Sequence, residues 1–170
     1  MSLSETLTIR PLQRTEVGVL LQLIRALAEY EQRLDQVVAS ETDLERALFG
    51  EHATAKAVLA CIDDTPIGYA LFYPVLSTFR GCYALHLEDV FVLPEYRGQQ
   101  VGYALMGYVA HEARAQGYPC VQWQVLGWNT PAIEFYHRLG AQPSETEWLP
   151  YKIQGEALER LADDFHHRFG

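Results

Sequence analysis

The segment Leu87–Met106, LEDVFVLPEYRGQQVGYALM, brings together residue types that could do chemistry. An apolar run that predicts a strand contains two carboxylates, Glu88 and Asp89, and ends at a proline. Arg97, Gly98 and Gly102 then stand at the turn that opens a predicted helix. Such a turn is a ready anion site, because the first N–H groups of a helix point outward and the helix dipole favours negative charge. The pattern therefore predicts phosphate binding beside two acidic side chains.

The glycines of this turn have two interpretations on pattern alone. Gly98 and Gly102 either let a ligand approach the backbone with no Cβ in the way, or only provide a tight turn and close helix packing. Both interpretations require that the turn lies between a strand and a helix. They therefore depend on the elements predicted on either side of it.

Hydrophobic periodicity and turn residues divide the chain into predicted elements. They are a strand at 7–10, helices at 17–32 and 41–49, strands at 56–62, 67–73 and 84–92 with a loop at 74–81, a helix at 98–116, a strand at 120–126, a helix at 129–139, a strand at 148–153 and a helix at 154–169. This order predicts an α/β (α+β) fold with a central mixed sheet and helices on both faces. The strands before and after the 98–116 helix should be parallel. We expect one domain over residues 1–170.

The composition argues against several classes of partner. A net charge of −9 disfavours nucleic acid, because phosphate binding needs a basic patch, and it suits a cationic substrate or simply solubility. No apolar run approaches the ~20 residues of a membrane span, and the N-terminus lacks the pattern of a signal peptide. Cys61, Cys82 and Cys120 are far apart and show no metal-ligand spacing. We therefore expect no metal, no membrane and a reducing cytoplasm.

Two motifs resemble those of the GNAT superfamily, the acetyl-CoA-dependent N-acetyltransferases. In YRGQQVGYALM, Arg97 and Gly102 match the outer positions of the pyrophosphate loop Arg/Gln-x-x-Gly-x-Gly/Ala, and Gln100 stands where an inner glycine is usual. The segment WNTPAIEFYHRLGA resembles N-x-x-A-x-x-F-Y-x-x-x-G-F/A. Its matching residues are Asn129, Ala132, Phe135, Tyr136, Gly140 and Ala141. The two motifs together imply the GNAT acyl-CoA N-acyltransferase fold.

A finer resemblance runs along nearly the whole chain, from about Ile9 to Ala162. Four segments are similar to the spermidine/spermine (diamine) acetyltransferase branch, which includes a paralogue linked to thialysine: LAEYEQ (27–32), FGEH (49–52), LEDVFVLPEYRG (87–98) and QGEALERLA (154–162). This resemblance implies acetyl transfer to a primary amine of a small di- or polyamine by a homodimer. Thialysine or another lysine-like amino acid is the alternative substrate, and Arg80 is available to meet its α-carboxylate.

The resemblance also assigns residues to acetyl-CoA, the implied cosubstrate. Backbone N–H groups of the strand at 87–92 would meet the acetyl oxygen and pantetheine, and the following turn would hold the pyrophosphate. Asn129 would bind pantetheine, cap its helix, or do both. The residues assigned are Val90, Phe91, Val92, Arg97, Gly98, Gln99, Gln100, Val101, Gly102, Asn129 and Tyr136.

Acetylation of a primary amine needs a proton acceptor, because such an amine, with a reference pKa of about 10.4, is protonated at neutral pH. Glu88 is the candidate, directly or through water; alternatively it is a strand-end carboxylate satisfied by backbone N–H groups. His86 shares its strand face if no bulge intervenes, and is a second candidate base or a histidine of the core or rim. The resemblance makes Tyr136 the acid that protonates the coenzyme A thiolate.

For the substrate, the resemblance implies a site in which carboxylates and an aromatic ring receive a dication. Its residues are Tyr30, Glu31, Phe79, Glu88 and Asp89. Alternatively, Tyr30 serves packing and Glu31 is a solvated helix end.

An alternative of another class is a catalytically idle acyl-CoA-binding module on the same fold. Gln100, at a position where the motif usually has glycine, supports this alternative. The presence of both Glu88 and Tyr136 argues against it.

Overall fold

The computed structural model describes residues 7–144 and 149–169. Its strands are β1 (Leu7–Pro11), β2 (Lys56–Ile62), β3 (Thr65–Ser77), β4 (Cys82–Val92) and β5 (Val121–Gln122). Its helices are α1 (Val17–Tyr30), α2 (Glu41–Phe49), α3 (Val101–Ala115), α4 (Thr130–Arg138) and α5 (Glu156–Phe169). Helices keep their predicted positions: α2 has its predicted bounds, and the ends of the other helices differ by at most three residues.

The five strands form one mixed sheet in the order β1-β2-β3-β4-β5. Strands β1 to β4 pair with one another in antiparallel fashion, and β5 pairs with β4 in parallel after the chain has passed through α3. The predicted mixed sheet and the parallel pair around α3 are confirmed. The turn between β2 and β3 is tight because Asp63 and Asp64 both adopt positive φ, at 47° and 64°.

Helices cover both faces of this sheet. Leu59 and Cys61 of β2 belong to a hydrophobic cluster that includes Leu20 of α1. Val58 and Ala60 are as buried as these two and, by strand alternation, point to the opposite face. Helix α3 contacts β1, β2, β3 and β4, and its buried residues lie outside the α1 cluster, so it covers that second face.

The predicted loop at 74–81 is wrong, because most of it is strand. β3 continues to Ser77, which pairs with Cys82, and only residues 78–81 form a turn. Pro74 suggested a loop. The pairing of β3 with β2 stops at Phe72, opposite Lys56, so the β2 side of β3 is an edge at Pro74, where proline is tolerated.

Two other predicted strands also differ. The strand predicted at 120–126 is only Val121–Gln122. Residues 149–153 form no strand, and Trp148 of that prediction lies outside the described residues. In both segments, β-forming residues indicated extended backbone but could not indicate whether a partner strand is available.

Internal contacts group the chain into a larger unit that ends at Ala132 and a smaller one that begins at Ile133. The larger unit contains the sheet with α1, α2 and α3, and the smaller one contains most of α4 and all of α5. No helix within the described ranges is long and apolar enough to cross a membrane. Organisation as a single domain stays a prediction.

Close contact between β3 and β4 requires glycine at position 68. A Cβ on Gly68 would lie 2.5 Å from the carbonyl oxygen of Phe91, so the strands would have to separate. We expect Gly68→Ala to lower the free energy of unfolding by roughly 1–3 kcal/mol, measured by urea denaturation. Gly107→Ala in α3 is the matched control, because a Cβ there meets nothing within 4 Å. It should raise the same free energy by up to about 1 kcal/mol, and the opposite order of the two variants would contradict this account.

Candidate active site

A β-bulge in β4 falls at Glu88. Leu71 of β3 pairs with Asp89, and the next residue, Phe72, pairs with Leu87, so Glu88 has no partner in the β3 register. A bulge of this kind places two residues of one strand opposite one residue of the other and re-aims the side chains beside it.

The bulge turns both carboxylates to the same face of the sheet. The Tyr69 hydroxyl donates to Asp89 Oδ2 at 3.0 Å, and the Tyr73 hydroxyl donates to Glu88 Oε2 at 2.7 Å. Tyr69 and Tyr73 are four residues apart on β3 and therefore share one face, whereas regular alternation would have placed Glu88 and Asp89 on opposite faces. This face also carries α1, because Tyr69 belongs to the α1 cluster.

His86 also lies beside Glu88, although the condition for this prediction, a strand without a bulge, is not met. It pairs with Tyr73, their ring centroids are 5.1 Å apart, and its Nε2 lies 3.6 Å from Glu88 Oε2. Sequence reasoning missed Tyr69 and Tyr73. Their signal is a pair of tyrosines on one face of a strand that neighbours the two carboxylates.

Asp89 is the most strongly perturbed carboxyl of this face. Burial raises the pKa of Asp89 to about 6, the Tyr69 hydrogen bond opposes that rise, and the charges of Glu88 and Glu31 add to it. Burial and Asp89 itself raise the pKa of Tyr69 well above its usual value, so its hydroxyl stays a donor. Three of the predicted substrate residues are therefore electrostatically coupled: Glu88 and Asp89 lie on this face, and the charge of Glu31, at the end of α1, acts on Asp89. Together these three residues are called the acidic cluster.

Phe79 lies apart from that cluster. It occupies the turn at 78–81 between β3 and β4 and is 94% exposed. Cys82 begins β4 six residues before Glu88, a span of about 20 Å along a strand. Arg80 lies in the same turn, so the chain does not bring Phe79 or Arg80 to Glu88.

The edge of β4 is open beside the carboxylates. Strand β5 pairs only with Leu85 and His86. From Leu87 to Val92, β4 has no strand partner on that side among the described residues. Val90 is half-buried, while Phe91 and Val92 are buried. An open edge presents backbone N–H and C=O groups that can bond a ligand.

The turn after β4 has a backbone conformation typical of glycine, although Gln100 occupies the position where the motif usually has its inner glycine. Gly98 and Gln100 adopt positive φ, at 75° and 65°, and Gln100 precedes the first residue of α3, the buried Val101. Gln99 holds the turn, donating from Nε2 to the Glu95 carbonyl at 3.1 Å. Because the first N–H groups of a helix have no intrahelical acceptor, those from Val101 onward, including Gly102, are suited to an anion.

Tyr30 joins the turn rather than the acidic cluster. The Arg97 guanidinium lies 4.5 Å from the Tyr30 ring centroid and 5.5 Å from that of Phe91, and its Nε donates to the Val92 carbonyl at 3.0 Å. The Tyr30 hydroxyl donates to Asn129 Oδ1 at 3.0 Å. Asn129 is buried, and the same oxygen accepts from the Ala132 N–H at 3.4 Å, so it also caps α4.

Tyr136 lies on α4, half-buried, with its ring centroid 5.5 Å from that of Phe135. Its carbonyl accepts from the N–H of Ala141 at 3.1 Å, closing the helix end. Within the described ranges, no group of three or more His, Cys, Asp or Glu side chains could hold a metal ion.

The model of the acetyltransferase (GNAT) family matches residues 21–141. The chain belongs to this family. The match includes the bulged β4, the turn after it and the whole of the second motif, and it confirms the interpretation of the chain as an N-acetyltransferase.

Two curated relatives agree with the finer resemblance. The chain is 38% identical over 164 residues to thialysine N-epsilon-acetyltransferase of Sus scrofa, covering 91% of this chain and 96% of that protein. It is 27% identical over 163 residues to spermidine/spermine N(1)-acetyltransferase-like protein 1 of Homo sapiens, covering 91% of this chain and 23% of that longer protein.

A solved structure supports the fold of this GNAT chain. An aminoglycoside acetyltransferase from an uncultured soil metagenomic sample superimposes with a TM-score of 0.76 at 15% identity, covering 89% of this chain and 99% of that one. At this identity the likeness shows the fold alone, and it agrees with the mixed sheet.

The half-buried carboxyl of Asp89 should make stability depend on pH. The folded protein keeps the Asp89 proton up to about pH 6, whereas the unfolded chain releases it at about pH 4, so stability falls as pH rises between these values. Asp89→Asn removes this loss and should raise the free energy of unfolding at pH 8 by roughly 1–2 kcal/mol. The gain should vanish below about pH 4. Urea denaturation across this pH range measures it, with the exposed Asp35→Asn as control; a gain that does not depend on pH would contradict the assignment.

Gln100 holds a backbone conformation that favours glycine. Gln100→Gly should raise the free energy of unfolding by roughly 0.5–1 kcal/mol, because the left-handed region is strained for a residue with a Cβ. Gln99→Gly, next to it but without positive φ, should lower this free energy by a similar amount. Thermal unfolding of both variants measures the difference, and a lower melting temperature for Gln100→Gly would show that the turn does not need that conformation.

Proposed function

We propose that this chain transfers the acetyl group of acetyl-CoA to a primary amine of a small di- or polyamine. The observation that carries the proposal is the acidic cluster in a GNAT chain: a bulge puts Glu88 and Asp89 on one face beside the open edge of β4, and the charge of Glu31 acts on Asp89. Carboxylates on one face attract a substrate with more than one positive charge.

The binding surface for acetyl-CoA would consist of backbone more than side chains. The open edge of β4 would receive the acyl and pantetheine groups, and the turn with the N-terminus of α3 would receive the pyrophosphate. Acetyl-CoA supplies an acetyl group activated as a thioester. The proposed residues are Val90, Phe91, Val92, Arg97, Gly98, Gln99, Gln100, Val101, Gly102, Asn129 and Tyr136.

Tyr30 supports this surface through its contacts with Arg97 and Asn129. Its ring limits the movement of the Arg97 guanidinium, and its hydroxyl fixes the Asn129 amide. We therefore assign Tyr30 to the cosubstrate side of the site, which differs from the substrate role implied by resemblance.

Two side chains would move protons in the reaction. Glu88, with its side chain 52% exposed, accepts the proton of the incoming ammonium group, directly or through one water. The resemblance assigns Tyr136 to protonating the departing thiolate. Over the whole reaction one proton is released, because the ammonium nitrogen loses two hydrogens and the thiol gains one.

The remaining carboxylates would select the amine. Asp89 and Glu31, whose charges interact, would hold a second ammonium group while Glu88 faces the first one. A bound cation would favour ionised Asp89 and offset part of the electrostatic penalty of its burial.

Thialysine or another lysine-like amino acid is the second candidate substrate. The 38% identity to thialysine N-epsilon-acetyltransferase over almost the full length of both chains favours it. A lysine-like amino acid also carries two ammonium groups, so the acidic cluster suits either class. Its α-carboxylate would distinguish it from a polyamine.

We also propose that the protein is a homodimer and acts in the cytoplasm. The resemblance implies a two-fold pair, which is the commonest kind of oligomer. Helix α5 supports it with an exposed apolar stripe, in which Leu158, Leu161 and Phe165 are 45%, 59% and 59% exposed.

Release of coenzyme A thiol by the purified protein tests the function. The assay would compare spermidine, spermine and putrescine with thialysine and lysine. We expect turnover with amines that carry a second cation, and at least a tenfold lower kcat for Tyr136→Phe, because general acids contribute roughly 100-fold or more. Tyr151→Phe removes a hydroxyl from a tyrosine that is 90% exposed and should leave kcat unchanged.

Two outcomes would contradict this proposal. Absence of turnover with every amine, while acetyl-CoA still raises the melting temperature, would favour the idle acyl-CoA-binding module. Turnover limited to the substrates with an α-carboxylate would move the assignment from polyamines to amino acids.

A further inference from the structure

Tyr73 and His86 form a pair directly beside the proposed proton acceptor. They are partners in the register of β3 and β4, and their rings lie at a tilt of 37° with centroids 5.1 Å apart. The Tyr73 hydroxyl donates to Glu88 Oε2 at 2.7 Å, a short bond to an ionised acceptor. His86 Nε2 lies 3.6 Å from the same oxygen, too far for a hydrogen bond.

The bulge is the reason for this contact. If the register set by Leu71 and Asp89 continued without a bulge, Tyr73 would pair with Leu87, and Glu88 would point to the opposite face. The extra residue advances the register, so that Tyr73 meets His86 and its hydroxyl reaches Glu88. The hydrogen bond between Tyr73 and Glu88 therefore depends on the bulge in β4.

The Tyr73 hydroxyl is a permanent donor. Burial first, and then the hydrogen bond to Glu88, raise the pKa of Tyr73 to about 12, so the group keeps its proton at neutral pH. A carboxylate accepts at both oxygens. A donor fixed on Oε2 limits the rotation of the Glu88 side chain and leaves Oε1 to meet the amine.

We propose that Tyr73 is a positioning residue for acetyl transfer, which orients the Glu88 carboxylate toward the ammonium group, and that His86 holds the Tyr73 ring by packing. The inference rests on the proposed function, in which Glu88 accepts the ammonium proton. In that step the N–H bond breaks, the proton moves to Glu88, and the nitrogen keeps its electron pair. Tyr73 keeps its own proton throughout.

A double-mutant cycle of Tyr73→Phe and Glu88→Gln tests this role. Tyr73→Phe should lower kcat roughly tenfold, as expected for the loss of a hydrogen bond to a charged group, with the KM for acetyl-CoA changed by less than about twofold. In the Glu88→Gln background, Tyr73→Phe should change kcat by less than about twofold, because the carboxylate that it orients is gone.

Two controls separate positioning from folding, and a variant of His86 separates packing from proton transfer by the imidazole. Tyr83→Phe removes a hydroxyl from a tyrosine on β4 that is 46% exposed and touches Tyr118, and it should leave kcat unchanged. The melting-temperature shift on adding acetyl-CoA should be equal in the wild type and Tyr73→Phe. His86→Phe keeps a ring against Tyr73 and should retain kcat to within about threefold.

Different results would overturn different parts of the account. An equal effect of Tyr73→Phe in both backgrounds, or no effect in either, would overturn the positioning role while leaving Glu88 as proton acceptor. Full activity of Glu88→Gln would overturn both this inference and the proposed role of Glu88. A loss in His86→Phe as large as that in Glu88→Gln would overturn the packing role and assign proton transfer to the imidazole.

Discussion

The bulge at Glu88 is the constraint on which the other features of the site depend. One unpaired residue in β4 places Glu88 and Asp89 on a single face, where regular alternation would have separated them. The tyrosines of β3 then reach these carboxylates as donors. Just beyond His86, the end of β5 opens the edge of β4, so the acidic face and the open edge lie on the same short segment of one strand.

The fold holds Asp89 and its neighbouring carboxylates in an arrangement that is electrostatically unfavourable while no cation is bound. Burial and two neighbouring carboxylates keep the pKa of Asp89 raised, and only the Tyr69 hydroxyl opposes this effect. A core formed by α1 on one face and α3 on the other supports such a site, because the residues around Tyr69 are almost completely buried. The same carboxylates would become favourable when a substrate supplies positive charge.

Local patterns in the sequence predicted the order of the elements from β1 to α4, the presence of a turn between β4 and α3, and the family. Periodicity and turn residues are local signals, and motif spacing within one turn and helix is also local. The bulge was not predictable, because it depends on how two strands pair and not on the sequence of β4 alone. For the same reason the strand at 120–126 was too long and Tyr73 was missed. The substrate roles of Tyr30 and Phe79 stay predictions, and their positions could not be read from local patterns, since they depend on contacts across the chain and on the length of a hairpin.

The acidic face, the open strand edge and the turn belong to an acetyltransferase whose proposed proton acceptor, Glu88, lies at a bulge. A crystal structure of the protein with coenzyme A and the preferred amine tests this claim most directly. The account predicts an amine nitrogen within about 3.5 Å of the Glu88 carboxylate, with the Tyr73 hydrogen bond retained and the bulge unchanged. An amine bound away from Glu88, or a regular β4 in the complex, would contradict it.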